Sequence, residues 1–157
     1  VMHRIMTRLK LTVNEAKTRL RRLPDETFDF LAYTFGRCYA FGTGRPYYGM
    51  RPSKKRMQRF CRSINEALSR QTTYREVADT VQLLNQKLKG WANYYCLGAV
   101  SRAYRVVDYH VANRLRRWLR TKHGWPVHRS RVPAVHLYEH FGLVELKQRR
   151  NVSWATA

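Results

Sequence analysis

Between Gly90 and Gly124 the chain reads GWANYYCLGAVSRAYRVVDYHVANRLRRWLRTKHG, and the apolar spacing inside this run constrains the fold more than any other feature. Val100, Tyr104, Val107, Val111, Leu115 and Trp118 recur at steps of three and four, which puts them on one stripe of a helix. Opposite that stripe fall Arg102, Arg105, Tyr109, Asn113, Arg116 and Arg120. Arginines neutralise phosphates and a tyrosine ring can stack on a base, so a core-facing helix with this back suits nucleic acid. A solvated charged face on an ordinary amphipathic helix is the competing reading. One helix does not decide between them.

Composition adds weight to the first. Lys and Arg number 31 against 10 acidic residues, a net charge of +21 on 157 residues. Self-repulsion of that size opposes compaction unless a polyanion relieves it, so the expected partner is nucleic acid or an anionic membrane surface. Hydrophobic residues at 44% and aromatic residues at 13% exclude a disordered basic tail, which lacks core material. No apolar run approaches the roughly 20 residues needed to span a bilayer. The first ten residues lack the apolar stretch and cleavage site of a signal peptide. Cys38, Cys61 and Cys96 are odd in number and widely spaced, so buried free thiols in a reducing cytoplasm are expected.

Along the chain, Met2, Ile5, Met6 and Leu9 share a helical face, and Leu11–Thr18 (LTVNEAKT) carries a turn signal. A strand is expected over Thr27–Tyr33, a second over Arg37–Phe41, and a return over Tyr47–Arg51 after the turn Gly42–Pro46. At Pro52-Ser53 the periodicity becomes helical, with Ser53 as cap and Met57, Phe60, Cys61, Ile64, Ala67 and Leu68 on one face. Lys54, Lys55, Arg56, Arg59 and Arg62 cover the other side. Thr73 and Glu76 have the spacing of a capping box before a helix through Val77, Val81, Leu84 and Leu88 that stops at Gly90. A short helix Trp91–Leu97, a break at Gly98 and the long helix to about Lys122 follow. Beyond Gly124 the chain reads as a basic extended segment, one short helix ending near Gly142, and a tail.

Catalytic signals are weak. His136, Glu139 and His140 match H-x-x-E-H, the pattern of inverted zinc peptidases, but only Glu145 follows as a carboxylate and it is poorly placed as a third ligand. Two-metal nucleotidyl transfer needs converging carboxylates. Asp25, Asp29, Asp79 and Asp108 form no Asp-Asp or Asp-x-Asp pair. No metal site is expected in this chain.

Several blocks together resemble the C-terminal part of group II intron reverse transcriptases, the intron-encoded maturases. Leu11–Thr18 resembles the late palm block that carries a lysine near the polymerase site, and Phe28–Tyr33 (FDFLAY) resembles the primer-grip block F-x-F-L-G-Y. Arg51–Lys55 resembles the entry to the thumb. Leu88–Tyr95 (LKGWANYY) with the Arg114–Lys122 helix is similar to the maturase-specific X domain, and this match is the most specific. Gly142-Leu143 and Trp154–Ala157 resemble the family's C-terminal end more weakly.

This resemblance implies an α+β fold: a β-hairpin from the end of a palm over 1–52, an α-helical thumb/X domain over 53–125 and a basic extension over 126–157. It implies that the parent enzyme binds intron RNA, assists splicing and copies RNA into DNA with magnesium, in the cytoplasm. Lys17 would be the palm lysine near the triphosphate, with a plain surface lysine as the alternative. Phe30, Leu31, Ala32 and Tyr33 would form the primer grip, with a plain core role for Phe30 and Leu31 as the equal alternative, and Ala32 stands where the family has glycine. Lys54, Lys55, Arg59, Arg62, Arg102, Arg105, Arg116, Arg117 and Arg120 would line the RNA or an RNA/DNA hybrid. The family's Y-x-D-D is not in this sequence, so a fragment inactive in polymerisation by itself is expected. A stand-alone, non-catalytic RNA- or DNA-binding module is the alternative, and a zinc peptidase a more distant one. Trp91, Tyr94, Tyr95 and Trp118 are assigned to the core by their helical spacing, ahead of base stacking as the alternative.

Overall fold

The computed structural model describes residues 5, 8–9, 21–23, 25–40, 42–124, 133 and 135–148. It is α+β: a three-stranded antiparallel sheet followed by helices. The strands β1 (Phe28–Phe30), β2 (Tyr33–Tyr39) and β3 (Pro46–Pro52) lie in the order β1-β2-β3. Phe30 pairs with Tyr33, so Leu31 and Ala32 alone make the first turn, and both have positive φ (46° and 70°). That geometry matches the twist of a tight hairpin but favours glycine or asparagine. The single strand expected over Thr27–Tyr33 is therefore two strands bent at Leu31-Ala32. All three β1 residues are exposed, so the expected alternation is not seen there, and the turn carries no glycine to announce it.

Three helices build the body: α1 (Lys54–Ala67), α2 (Val77–Tyr94) and α3 (Ser101–His123). Every residue of the predicted α3 stripe is buried, from Val100 at 1% exposure to Trp118 at 2%. It meets Ile64, Ala67 and Leu68 of the α1 face and Val81, Leu84 and Leu88 of the α2 face in one core cluster. Burying a Leu or Ile side chain contributes about 1.5–3 kcal/mol, and Ile64, Leu84, Leu88, Leu115 and Leu119 are all fully enclosed.

Local signals failed at three helix ends. Ser53 holds the N-cap position of α1, but its hydroxyl makes no capping bond; its carbonyl instead accepts the amides of Arg56 and Met57. The capping box does not form, because α2 begins at Val77 with Glu76 as its N-cap. Thr73 lies outside that helix and turns its hydroxyl back to the Arg70 carbonyl. Gly90 does not stop α2, which continues for another turn to Tyr94. A glycine inside a helix costs about 1 kcal/mol, and burial of the neighbouring Leu88, Trp91 and Ala92 outweighs it.

The real break is Gly98, at φ 77°. A side chain there would collide with the backbone carbonyl of Met50. That same carbonyl accepts the amide of Ala99 at 2.8 Å, so the α2–α3 link is pinned to β3. Aromatic contacts complete the joint. Tyr33 packs on Tyr95 with ring centroids 5.3 Å apart, and Trp91 lies between Phe60 and Tyr95 at 5.2 and 4.9 Å. Tyr104 closes the end of α2 by donating to the carbonyls of Tyr95 (2.8 Å) and Ala92 (3.2 Å).

The described C-terminal segment, residues 135–148, contains a π-helical turn at His136–His140 and a 3-10 turn at Leu146–Gln148. Leu137, Leu143 and Leu146 plug into the core. Cys38 is buried as expected, Cys61 is half-buried, and Cys96 is exposed in the α2–α3 link, contrary to the expectation of three buried thiols. None of the helices described is long and apolar enough to cross a membrane.

Candidate nucleic-acid interface

The candidate interface lies on the outward faces of α1 and α3. On α1, Lys54, Lys55, Arg56, Arg59 and Arg62 are all exposed, as the apolar spacing of the opposite face requires. On α3, Arg102, Arg105 and Arg117 are exposed and Arg116 and Arg120 are half-exposed, all on the side away from the core stripe. Arg102 to Arg120 spans about 27 Å of helix at 1.5 Å per residue.

The two faces share a seam. His110 Nε2 lies 3.0 Å from Asn65 Oδ1, and Arg114 donates to the carbonyls of Leu68 (3.2 Å) and Asn65 (3.5 Å) at the end of α1. Burial lowers the His110 pKa, and the nearby guanidiniums of Arg114 and Arg117 push the same way against a hydrogen bond to the Cys61 backbone. Arg114 is thus spent on closing α1, where orphan helix carbonyls need donors. Arg117 stands at the seam with its charge outward.

A second cation is also internal. Lys122 donates to the carbonyls of Thr73 (3.1 Å) and Arg75 (2.8 Å) and sits 5.8 Å from the Trp118 ring. Trp118 is confirmed as core, its indole donating to Thr72 Oγ1 at 3.1 Å. Trp91 and Tyr95 are also buried, but Tyr94 is 56% exposed and does not join the core. It clasps the hairpin instead: its hydroxyl donates to the Leu31 carbonyl (3.2 Å), and Tyr33 donates to the Tyr94 carbonyl (2.8 Å). Tyr94 is the last residue of α2, where its ring stacks on Tyr33 of the hairpin.

Of the primer-grip candidates, Tyr33 is buried, Ala32 is half-buried, and Phe30 and Leu31 are exposed at 58% and 70%. The Ala32 carbonyl accepts the Ser53 amide at 3.0 Å, so the hairpin turn abuts the start of α1 beside Lys54 and Lys55. Those two groups of candidates are brought together. Lys17 and the block Leu11–Thr18 lie outside the described residues.

His136 and His140 stack at 4.5 Å between ring centroids on an exposed turn, with Glu139 also exposed. Among the described residues no group of three or more His, Cys, Asp or Glu could hold a metal ion. The donor set for zinc is incomplete there, and so is one for paired magnesium ions.

With this geometry in place, the comparison with known families is decisive. The family model described as "Group II intron, maturase-specific domain" matches residues 57–133. Residues 57–133 are a group II intron maturase-specific domain. The match begins within α1, leaving Lys54, Lys55 and Arg56 outside it, and takes in the rest of α1 and all of α2 and α3. No curated protein matches the chain. The maturase domain gives the chain a role in group II intron splicing.

Sequence reasoning missed two polar residues that shape this domain. Asp108 is buried at 6% exposure, and Asn85 binds both the Gly142 carbonyl and the Val144 amide at 2.8 Å. Asp108 carried one signal, as the sole acid in the Gly90–Gly124 run. Asn85 carried none.

Proposed function

We propose that the exposed basic faces of α1 and α3 bind intron RNA, as the thumb and X portion of a group II intron reverse transcriptase. The observation that carries this reading is the seam at Asn65–His110, which joins α1, the helix bearing Arg59 and Arg62, to α3, the helix bearing Arg102 to Arg120, within the maturase domain. The core contacts on the reverse of both helices fix the backbone positions from which the arginines project, so phosphates meet a preformed helical scaffold.

In this reading residues 1–52 are the end of a palm, 53–125 the thumb and X domain, and 126–157 its basic extension. The Leu31-Ala32 turn, clasped by Tyr94, presents backbone to a primer strand next to Lys54 and Lys55. Magnesium-dependent polymerisation is assigned in this reading to the parent enzyme.

Charge reversal tests the reading. Arg116→Glu with Arg120→Glu on α3, and separately Arg59→Glu with Arg62→Glu on α1, are compared with Lys87→Glu on α2 in filter binding to the intron RNA. Both pairs are expected to weaken binding at least tenfold with unchanged circular dichroism, and Lys87→Glu to change it little. Equal effects of all three would reduce the interface to net charge.

A further inference from the structure

We infer that α3 carries a stacking platform for one unpaired nucleotide, formed by the Tyr109 ring with the Asn113 amide beside it; the inference rests on the reading of α3 as an RNA face. Tyr109 is 73% exposed in the middle of the arginine stripe, and Val106, one turn earlier, is 46% exposed. Every other aromatic side chain of α3 is used inside: Tyr104 closes α2 through its hydroxyl, and Trp118 bonds to Thr72. No hydrogen bond among the described residues holds Tyr109, and a solvated ring adds little to the fold.

Asn113 lies four residues on, and therefore on the same face. Arg116 Nη1 donates to Asn113 Oδ1 at 3.0 Å, which takes one of the two lone pairs of the amide oxygen. Asn113 also offers a ligand its NH2 donor, suited to an acceptor on a base edge. Arg102 and Arg120 lie seven residues before and eleven after Tyr109, placed to hold phosphates on either side.

The chemistry selects unpaired RNA. A base inside a duplex already has both faces stacked, and the A-form major groove is too deep and narrow for a side chain to read. A ring on the convex face of a helix can be covered only by a base with an open face, in a loop, bulge or single strand. The Tyr109 ring and the neighbouring Val106 methyls supply that apolar contact, and the arginines supply the electrostatics common to any RNA.

The test uses the full chain with two labelled probes, an oligouridylate single strand and a blunt-ended RNA duplex, read by fluorescence anisotropy. Tyr109→Ala is expected to weaken the single strand by about ten- to a hundredfold, the range for one stacked base, and to leave the duplex within about twofold. Tyr109→Phe retains the ring and is expected to bind like wild type, with the salt dependence unchanged in both variants. Equal loss on both probes, or no loss on the single strand, overturns the platform while leaving the basic interface intact. Failure of wild type to bind either probe overturns the interface itself, and the platform with it.

Discussion

Asp108 Oδ1 accepts the backbone amide of Leu146 at 3.0 Å, joining residues 38 apart in the chain. Its other oxygen accepts the Lys147 amide at 2.9 Å. The carboxylate thus caps the opening of the last 3-10 turn and seats Leu146 in the core. Burial raises the Asp108 pKa, and the two amides offset part of that shift by favouring the charged form. With Asn85 holding Gly142 and Val144, two side chains hold the whole stretch from 142 to 147 against α2 and α3.

Asp108→Ala leaves two amides without their acceptor, at about 1–3 kcal/mol for each buried donor. The expected loss is about 2–6 kcal/mol in urea unfolding, with amide exchange rising first at Leu146 and Lys147. Unchanged exchange there would show that the apolar contacts of Leu137, Leu143 and Leu146 suffice.

Two glycines of the maturase domain separate cleanly. Gly98→Ala forces a side chain into the left-handed region and against the Met50 carbonyl. It is expected to cost about 2–4 kcal/mol. Gly90→Ala meets open space in a helix interior and is expected to stabilise by up to about 1 kcal/mol. Thermal unfolding of the two variants checks the contrast.

Ala32→Gly relieves a left-handed alanine in the hairpin turn, at φ 70°. About 1 kcal/mol of added stability is expected, as read by the shift in urea midpoint. Loss of stability would mean that flexibility gained in the unfolded chain outweighs the relieved strain.

His110 predicts a pH effect with a defined sign. Its folded pKa is lowered, chiefly by burial, so the unfolded chain binds the proton more readily. Its contribution is therefore complete above the unfolded value of about 6.5 and lost as pH falls below it. Between about pH 7.5 and 5.5 the wild type is expected to lose more stability than His110→Gln. Parallel curves would contradict this assignment.

The parts of the fold legible in the sequence were those governed by periodicity. The α3 stripe, the α1 face and the exposed basic sides follow from steps of three and four, because burial enforces them residue by residue. What escaped was set by distant partners. Nothing local to Arg114 or Lys122 marks them as donors to carbonyls 46 to 49 residues away, yet this is what separates them from the outward arginines of the same run. Tyr94 and Tyr95 are adjacent and alike, and only their angle around α2 makes one a clasp on the hairpin and the other core. The Thr73–Glu76 box failed because α2 begins only at Val77, which leaves Thr73 outside the helix with its hydroxyl on the Arg70 carbonyl.

The salt dependence of RNA binding tests the central claim most directly, because it counts phosphate contacts without assuming which RNA is recognised. The α1–α3 face presents the cations for six to ten such contacts, which predicts a fall in affinity of about 10³- to 10⁵-fold between 50 and 200 mM salt on a duplex, with a gentler slope on a single strand. Arg116→Glu with Arg120→Glu should flatten that slope. A wild-type affinity that barely changes across this range would contradict an RNA interface built on these two helices.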